Sequence, residues 1–186
     1  MREIVLTEEE IQATCKRLGE QITNDLKNEE KIPVVIGVMK GALNFMMDLI
    51  KRIDTPIYTD YIQVSSYVGT ETTGVVFLKR DTSIDLTDRT VIIVEDIVDT
   101  GISMDYLVEH FKQKGPKKVL VCALFDKIIA RKKPVKIDYC GKILDKNQFL
   151  LGYGLDYNEV HRNEPYVFIP AEGEIAELDK KINNDK

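Results

Sequence analysis

The chain has 186 residues, 44% of them hydrophobic and 31% charged, which is typical of one globular domain that buries its own core. A net charge of −5 and an isoelectric point near 5.2 argue against a nucleic-acid-binding surface, because such a surface needs a basic face. Three cysteines without a Cys-x-x-Cys pair, only two histidines, and no signal-peptide or membrane-spanning run speak against a zinc site and favour a reducing cytosol.

The first predicted element is an amphipathic helix that starts after Thr7. Thr7 and Glu10 have the spacing of a capping box, and apolar residues then recur at helical spacing to about Lys27. We expect this helix to pack on the outside of a sheet and to have a structural role.

A buried strand over residues 32–38 follows, and it leads into the turn Met39-Lys40-Gly41 and an apolar helix over residues 43–50. A cation and a glycine at a strand-to-helix turn can bind an anion. The same residues also fit a tight turn with a solvated lysine, and the turn taken alone favours that interpretation.

The alternating segment 57–64 predicts another strand, and the polar, glycine-flanked segment 65–74 follows it without periodicity. This polar segment is either an exposed hairpin loop or a lid that closes over a reactive intermediate and excludes water. Residues 75–78 predict the return strand.

Residues 91–104 are the most informative stretch of the chain. Four apolar residues, 91–94, predict a strand buried on both faces of a parallel sheet, and two acids, Glu95 and Asp96, end it. The turn Asp99-Thr100-Gly101 then opens an amphipathic helix, so it lies at the carboxyl end of a central strand, where α/β sheets bind ligands.

The composition of this turn favours a phosphate. Gly101 lets the backbone approach closely, Thr100 and Ser103 supply hydroxyls, and the helix N-terminus supplies free amides and a positive dipole. An acidic helix cap would explain one of the three carboxylates, whereas ribose hydroxyls, a proton or Mg²⁺ would explain all three.

The second half of the chain predicts one more buried strand, residues 118–125, which ends on Asp126 and Lys127. Lys127 is either an ordinary strand-end charge or a donor to a carbonyl oxygen of a ligand. We interpret the basic run 131–136 as a solvated linker without an assigned role. Residues 149–154 predict a strand that enters a glycine turn, and residues 172–186 a short helix with a frayed tail.

Residues 91–104 resemble the 5-phosphoribosyl-1-pyrophosphate (PRPP) signature of the type I phosphoribosyltransferases. That signature has four apolar residues, two acids, two variable apolar positions, Asp-Thr-Gly and a hydroxyl residue, and the form over residues 95–101 is most similar to the purine salvage branch. A second match is Gly-Tyr-Gly-Leu-Asp-Tyr-Asn-Glu over residues 152–159, followed by Arg162. His161 departs from the aromatic residue that is common there in the family.

The resemblance extends from residue 34 to residue 169 and implies a fold and a reaction. The fold is a single α/β domain over residues 1–186, with a parallel central sheet flanked by helices and a small hood built from the N-terminal segment and about 137–160. The reaction transfers the phosphoribosyl group from PRPP to hypoxanthine or guanine, with Mg²⁺ as cofactor, in a homodimer or homotetramer. Xanthine as the acceptor remains an alternative. So does a PRPP-binding regulator of transcription, which would need a basic face or an added helix-turn-helix.

The resemblance also implies a role for each site residue. Asp99 is the general acid/base that takes the proton from N7 of the purine. The residues that bind the ribose and its 5′-phosphate are Glu95, Asp96, Asp99, Thr100, Gly101, Ile102 and Ser103. The residues that bind pyrophosphate are Lys40, Gly41 and Arg162, with a cis peptide bond between Met39 and Lys40.

The remaining implied roles concern the base, the metal and the lid. The purine-binding residues are Lys127, Phe149, which stacks on the base, Leu150 and Asp156. The metal contacts are Glu95, Asp96 and Asp156. The lid residues are Ser66 and Tyr67.

Overall fold

A six-stranded sheet forms the centre of the fold in the computed structural model, which describes residues 1–66 and 76–185. The strand order is β4-β3-β2-β5-β6-β7, and every neighbouring pair is parallel except β3 and β4. The strands are β2 Val34–Met39, β3 Tyr58–Ser66, β4 Val76–Arg80, β5 Thr90–Val98, β6 Lys118–Lys127 and β7 Tyr139–Leu144. The predicted α/β fold with a mostly parallel central sheet is confirmed.

Helices cover both faces of this sheet. Helices α1 Glu8–Leu26 and α2 Leu43–Ile50 lie on one face and α3 Ile102–Lys112 lies on the other. Helix α4 Glu174–Asn184 has no buried residue, and a short 3₁₀ helix spans Ile128–Ala130. Successive side chains of β5 point to opposite faces, so Ile92 and Val94 join the core under α1 and α2, whereas Val91 and Ile93 join the core under α3. An unbroken apolar run is what a strand buried on both faces requires.

The predicted capping box is present at the start of α1. The Thr7 hydroxyl accepts a hydrogen bond from Glu10 N at 3.2 Å, and the Glu10 carboxylate accepts one from Thr7 N at 2.8 Å. The helix ends at Leu26, one residue before the predicted limit. No helix within the described residues is long and apolar enough to cross a membrane.

A second, two-stranded sheet lies apart from the first. Its strands are β1 Glu3–Leu6 and β8 Val167–Ile169, and Leu151 bridges to Phe168 beside them. The predicted hood therefore differs at its boundary, because Tyr139–Leu144 is the edge strand β7 of the large sheet. The Tyr139 side chain is buried against α1, where its hydroxyl donates to Asp25 at 2.8 Å, and this contact holds β7 on the main core.

The predicted lid falls mostly outside the described residues. Ser66 is the last residue of β3 and pairs with Val76, the first residue of β4, so the strands that carry the segment are those predicted. Tyr67 and the rest of the segment to residue 74 lie outside the described part of the chain.

Candidate active site

A cleft of about 250 Å³ opens at the carboxyl ends of the neighbouring parallel strands β2 and β5. Its walls come from the turn after β2, the end of β5 and the first turn of α3. The predicted site residues that line it are Gly41, Glu95, Asp99, Thr100, Gly101 and Ser103. The fold thus brings the two strand-to-helix turns, about 60 residues apart in sequence, to one edge of the sheet.

The phosphate loop, which we define as residues 99–103, joins β5 to α3. Gly101 has a φ of 79° and accepts the first helical hydrogen bond from Asp105 N at 2.8 Å. A side chain at Gly101 would be strained by that backbone conformation, and its Cβ would lie 2.5 Å from Lys133 O. The Gly101 position therefore requires glycine for two independent reasons, and Gly101 offers no side-chain cap to the amides of α3.

Residues 131–133, which we call the strap, pack against the phosphate loop. Arg131 Nε donates to Asp99 O at 3.1 Å, and its Nη2 donates to Val98 O at 3.2 Å and forms an ion pair with Asp126. The amides of residues 132 and 133 both donate to Thr100 O, at 2.9 Å and 3.0 Å. The interpretation of this run as a solvated linker without a role is therefore wrong for Arg131. No periodic pattern in the sequence predicts these contacts.

Two acids, Glu95 and Asp96, lie between the two turns. Burial raises the pKa of both carboxyls, and the charge of Asp96 raises the pKa of Glu95 further. Among the described residues neither carboxylate forms an ion pair. A Cβ at Gly41 would collide with the Asp96 carboxylate, so the Lys-Gly turn needs its glycine to pack on this acid.

The same pair is where a metal would fit. The described residues contain no group of three or more acids, histidines and cysteines placed to form a cage around an ion. Mg²⁺ often takes only one or two protein carboxylates and fills its other positions with water and substrate oxygens, which suits two adjacent carboxylates that form no ion pair among the described residues. Asp156, the third predicted contact, already uses both oxygens, with Arg162 Nη2 at 2.8 Å and Glu159 N at 2.8 Å.

The two predicted pyrophosphate cations meet at one carboxylate. Glu159 Oε2 lies 2.9 Å from Lys40 Nζ and 3.2 Å from Arg162 Nη2, and these hydrogen bonds, with Lys40 first, hold the pKa of Glu159 below its usual value. Arg162 Nη1 also donates to Gly154 O at 2.6 Å. The Met39–Lys40 peptide bond is cis, as predicted. Lys40 and Arg162 were both predicted to bind pyrophosphate, whereas Glu159 had no predicted role.

Lys127 and Asp99, which were both predicted to contact the purine, converge. Lys127 is buried, with its Nζ 3.7 Å from Asp99 Oδ2, and Asp99 Oδ1 is buried without a hydrogen-bond partner among the described residues. The Phe149 ring is half-exposed and meets Tyr157 edge to face at 6.1 Å between centroids. Leu150 is buried in the core, so its side chain is not available to a ligand, and any contact with one would be through its backbone.

Comparisons with known proteins match the sequence and the fold of the chain. A family model described as the phosphoribosyl transferase domain matches residues 2–158. The chain is 41% identical over 168 residues to the curated hypoxanthine-guanine phosphoribosyltransferase of Staphylococcus aureus (strain Mu50 / ATCC 700699), covering 90% of this chain and 92% of the relative. A crystal structure of a hypoxanthine phosphoribosyltransferase from Staphylococcus aureus matches with a TM-score of 0.86 at 40% identity, over 93% of this chain and 92% of that one. The hypoxanthine phosphoribosyltransferase of Trypanosoma cruzi, in complex with the product IMP, matches with a TM-score of 0.84 at 33% identity, over 91% and 93%.

Proposed function

The chain belongs to the phosphoribosyltransferase family, and we propose that it transfers the 5-phosphoribosyl group of PRPP to N9 of hypoxanthine or guanine in purine salvage. The products are IMP or GMP and pyrophosphate. The observation that carries this assignment is the convergence of Lys127 and Asp99, 3.7 Å apart, at the end of the phosphate loop. A cation and a carboxylate so placed match the neighbouring O6 and N7 atoms of a 6-oxopurine.

Base selection follows from these two side chains. The Lys127 ammonium has donors and no acceptor, so it accepts a carbonyl at position 6 and has nothing to offer an amino group there. Phe149 stacks on the base through its exposed flat face, and the backbone around Leu150 and Asp156 reads position 2. This arrangement favours hypoxanthine and guanine over adenine.

Proton transfer belongs to Asp99. As the bond between N9 and C1′ forms, the purine loses its N7 proton, and the Asp99 carboxylate, on a side chain that lines the cleft and is 47% exposed, accepts it. Asp99 lies on the phosphate loop, so the group that takes the proton and the amides that hold the 5′-phosphate are fixed by one turn of backbone.

Breaking the bond between C1′ and pyrophosphate leaves positive charge on the ribose and negative charge on the leaving group. Lys40 and Arg162 stabilise the pyrophosphate, with the Gly41 turn beside them, and Glu95 and Asp96 hold the ribose hydroxyls. Glu95 and Asp96 would hold a Mg²⁺ ion, which would neutralise charge on the diphosphate, and Asp156 would be a further contact if it released Arg162 or Glu159 N. The lid with Ser66 and Tyr67 keeps water from the reactive ribose.

The proposal includes a place and an assembly. The three cysteines are free thiols, two of them buried, which suits a reducing cytosol. We place the protein there as a homodimer or homotetramer that binds small molecules.

The test is an absorbance assay with each base in turn. Purified protein, Mg²⁺ and PRPP are mixed with hypoxanthine, guanine, xanthine or adenine, and nucleotide formation is followed in the ultraviolet. We expect turnover with hypoxanthine and guanine and none with adenine, because Lys127 requires a 6-oxo group. Turnover with adenine alone would overturn the assignment, and turnover with xanthine would extend the range of acceptors.

A further inference from the structure

Three consecutive carbonyls of the phosphate loop and its approach are bound from one side by the strap. Val98 O and Asp99 O accept from the Arg131 guanidinium, at 3.2 Å and 3.1 Å, and Thr100 O accepts from the amides of residues 132 and 133. Val98 ends β5 and α3 begins at Ile102, so these three carbonyls lie at the junction between the strand and the helix.

The orientation of these carbonyls fixes the amides. In a trans peptide the C=O and the following N–H point in opposite directions. Because the carbonyls of residues 98, 99 and 100 face the strap, the N–H groups of residues 99, 100 and 101 face away from it. Residues 99, 100 and 101 line the cleft, and the strap residues are not among its lining residues. Successive amides turned to one concave surface form a binding site for an anion.

Arg131 is built to hold this geometry. Only 17% of its side chain is exposed, its partner Asp126 is 16% exposed, and the ion pair fixes the plane of the guanidinium. A guanidinium presents several donors in a rigid fork, so one side chain reaches two carbonyls at once. A lysine has a single ammonium on a flexible stem and cannot reproduce both bonds in fixed geometry.

We propose that Arg131 is a positioning residue for the 5′-phosphate: it turns the amides of the phosphate loop into the cleft without touching the substrate. The inference rests on the proposed function, because it assigns the phosphate to this loop. It predicts that Arg131 matters for ligands that carry a 5′-phosphate and not for pyrophosphate, which binds at Lys40 and Arg162.

The experiment compares Arg131→Met and Arg131→Lys with the wild type. Calorimetry measures the dissociation constants of IMP and of inosine, which lacks only the phosphate, and initial rates give the inhibition constant of pyrophosphate. We expect Arg131→Met to weaken IMP by roughly tenfold or more, the range for losing hydrogen bonds from a charged group, with inosine and pyrophosphate nearly unchanged. Arg131→Lys should fall between Met and the wild type. The matched control is Lys136→Ala, which removes one charge from the same basic run at a side chain that is 86% exposed.

The possible results distinguish a failure of the proposed function from a failure of the inference about Arg131. A wild-type protein that binds neither IMP nor GMP overturns the proposed function and the strap's role with it. The inference alone is overturned if the wild type binds IMP and both Arg131 variants show the same ratio of IMP to inosine affinity as the wild type. Arg131→Lys carries the test if Arg131→Met does not fold. A purely structural role would lower the melting temperature and leave that ratio unmoved.

Discussion

The two ends of the proposed PRPP site bind phosphate groups in different ways. On the 5′-phosphate side the binding groups are backbone amides, and the strap already holds them in position through Val98 O, Asp99 O and Thr100 O. On the pyrophosphate side the binding groups are two long side chains, Lys40 and Arg162, and an internal carboxylate already occupies them.

This difference assigns a separate task to each end. If a 5′-phosphate binds at these amides as proposed, it meets groups that the strap already holds, so less binding energy is lost in ordering them. At the proposed pyrophosphate side an external anion would have to replace Glu159 at Lys40 and Arg162, and the exchange would run in reverse when the product leaves. Weak, exchangeable contacts suit the group that departs, and fixed contacts suit the group that stays on the product.

The largest expected effect separates chemistry from binding on the fixed side. Asp99→Asn keeps the backbone of the phosphate loop and removes the proton acceptor, so kcat should fall by roughly 10²-fold or more while the KM for PRPP stays near that of the wild type. Steady-state kinetics with hypoxanthine measure both constants.

Asp105→Asn is the matched control for this substitution. It makes the same chemical change in the first turn of α3, at a side chain that does not line the cleft, and keeps the amide that bonds to Gly101 O. An Asp99→Asn variant with unimpaired kcat would remove the general acid/base assignment. One with a greatly raised KM for PRPP would show that the fixed side depends on the carboxylate as well as on the backbone.

Glu95 and Asp96, the carboxylate pair between the two ends of the site, should lower the free energy of unfolding. The pKa of Glu95 is raised in the folded state by burial and by Asp96, so the folded protein is penalised at any pH above the ordinary carboxyl value of 4.5, where the unfolded chain ionises freely. Glu95→Gln should therefore increase the free energy of unfolding at neutral pH by roughly 1 kcal/mol, while PRPP turnover falls.

Thermal unfolding at two pH values checks this prediction. The gain should be present at neutral pH and should disappear near about pH 4, where the unfolded chain also keeps the proton. A loss of stability, or an equal gain at both pH values, would show that desolvation and Asp96 do not raise the pKa of Glu95 in the folded protein.

Local sequence was enough to predict the fixed side. The strand, its two acids, the Asp-Thr-Gly turn and the start of the helix are contiguous over residues 91–104. One apolar segment followed by one turn was therefore enough to predict where each of them lies. The strap was not predictable, because Arg131 acts on carbonyls 32 and 33 residues away and backbone acceptors leave no trace in sequence. Strands β1 and β8, of four and three residues, are too short to show a period.

Glu159 was missed for a related reason. Glu159 lies within the motif over residues 152–159, but the family resemblance implied roles only for Asp156 and Arg162 there. The ion pair of Glu159 with Lys40 spans 119 residues and requires the cis peptide turn and the segment around Gly154 to meet. Gly154 makes this contact, since a Cβ there would collide with Gly41 O, but only the folded chain shows it.

The smallest expected effect tests the exchange at the pyrophosphate side directly. Glu159→Gln keeps the shape of the side chain and removes the charge that competes with pyrophosphate for Lys40 and Arg162. Exposed ion pairs of this kind are weak, so the KM for PRPP should fall by roughly two- to threefold. Product inhibition by pyrophosphate should strengthen by the same factor, since both ligands require the same two cations. Glu177→Gln, at an exposed acid of α4, is the control.

The pH dependence of this variant makes the test specific. The pKa of Glu159 lies below its usual value of 4.5 because Lys40 and Arg162 donate to the carboxylate, so the group stays ionised throughout the neutral range. The ratio of the wild-type KM to the variant KM should therefore be constant there. It should approach one only when falling pH carries Glu159 through its lowered pKa and protonates it. An unchanged KM at neutral pH would mean that PRPP does not have to displace Glu159 from Lys40 and Arg162. Neither end of the site would then need to rearrange before it binds a phosphate group.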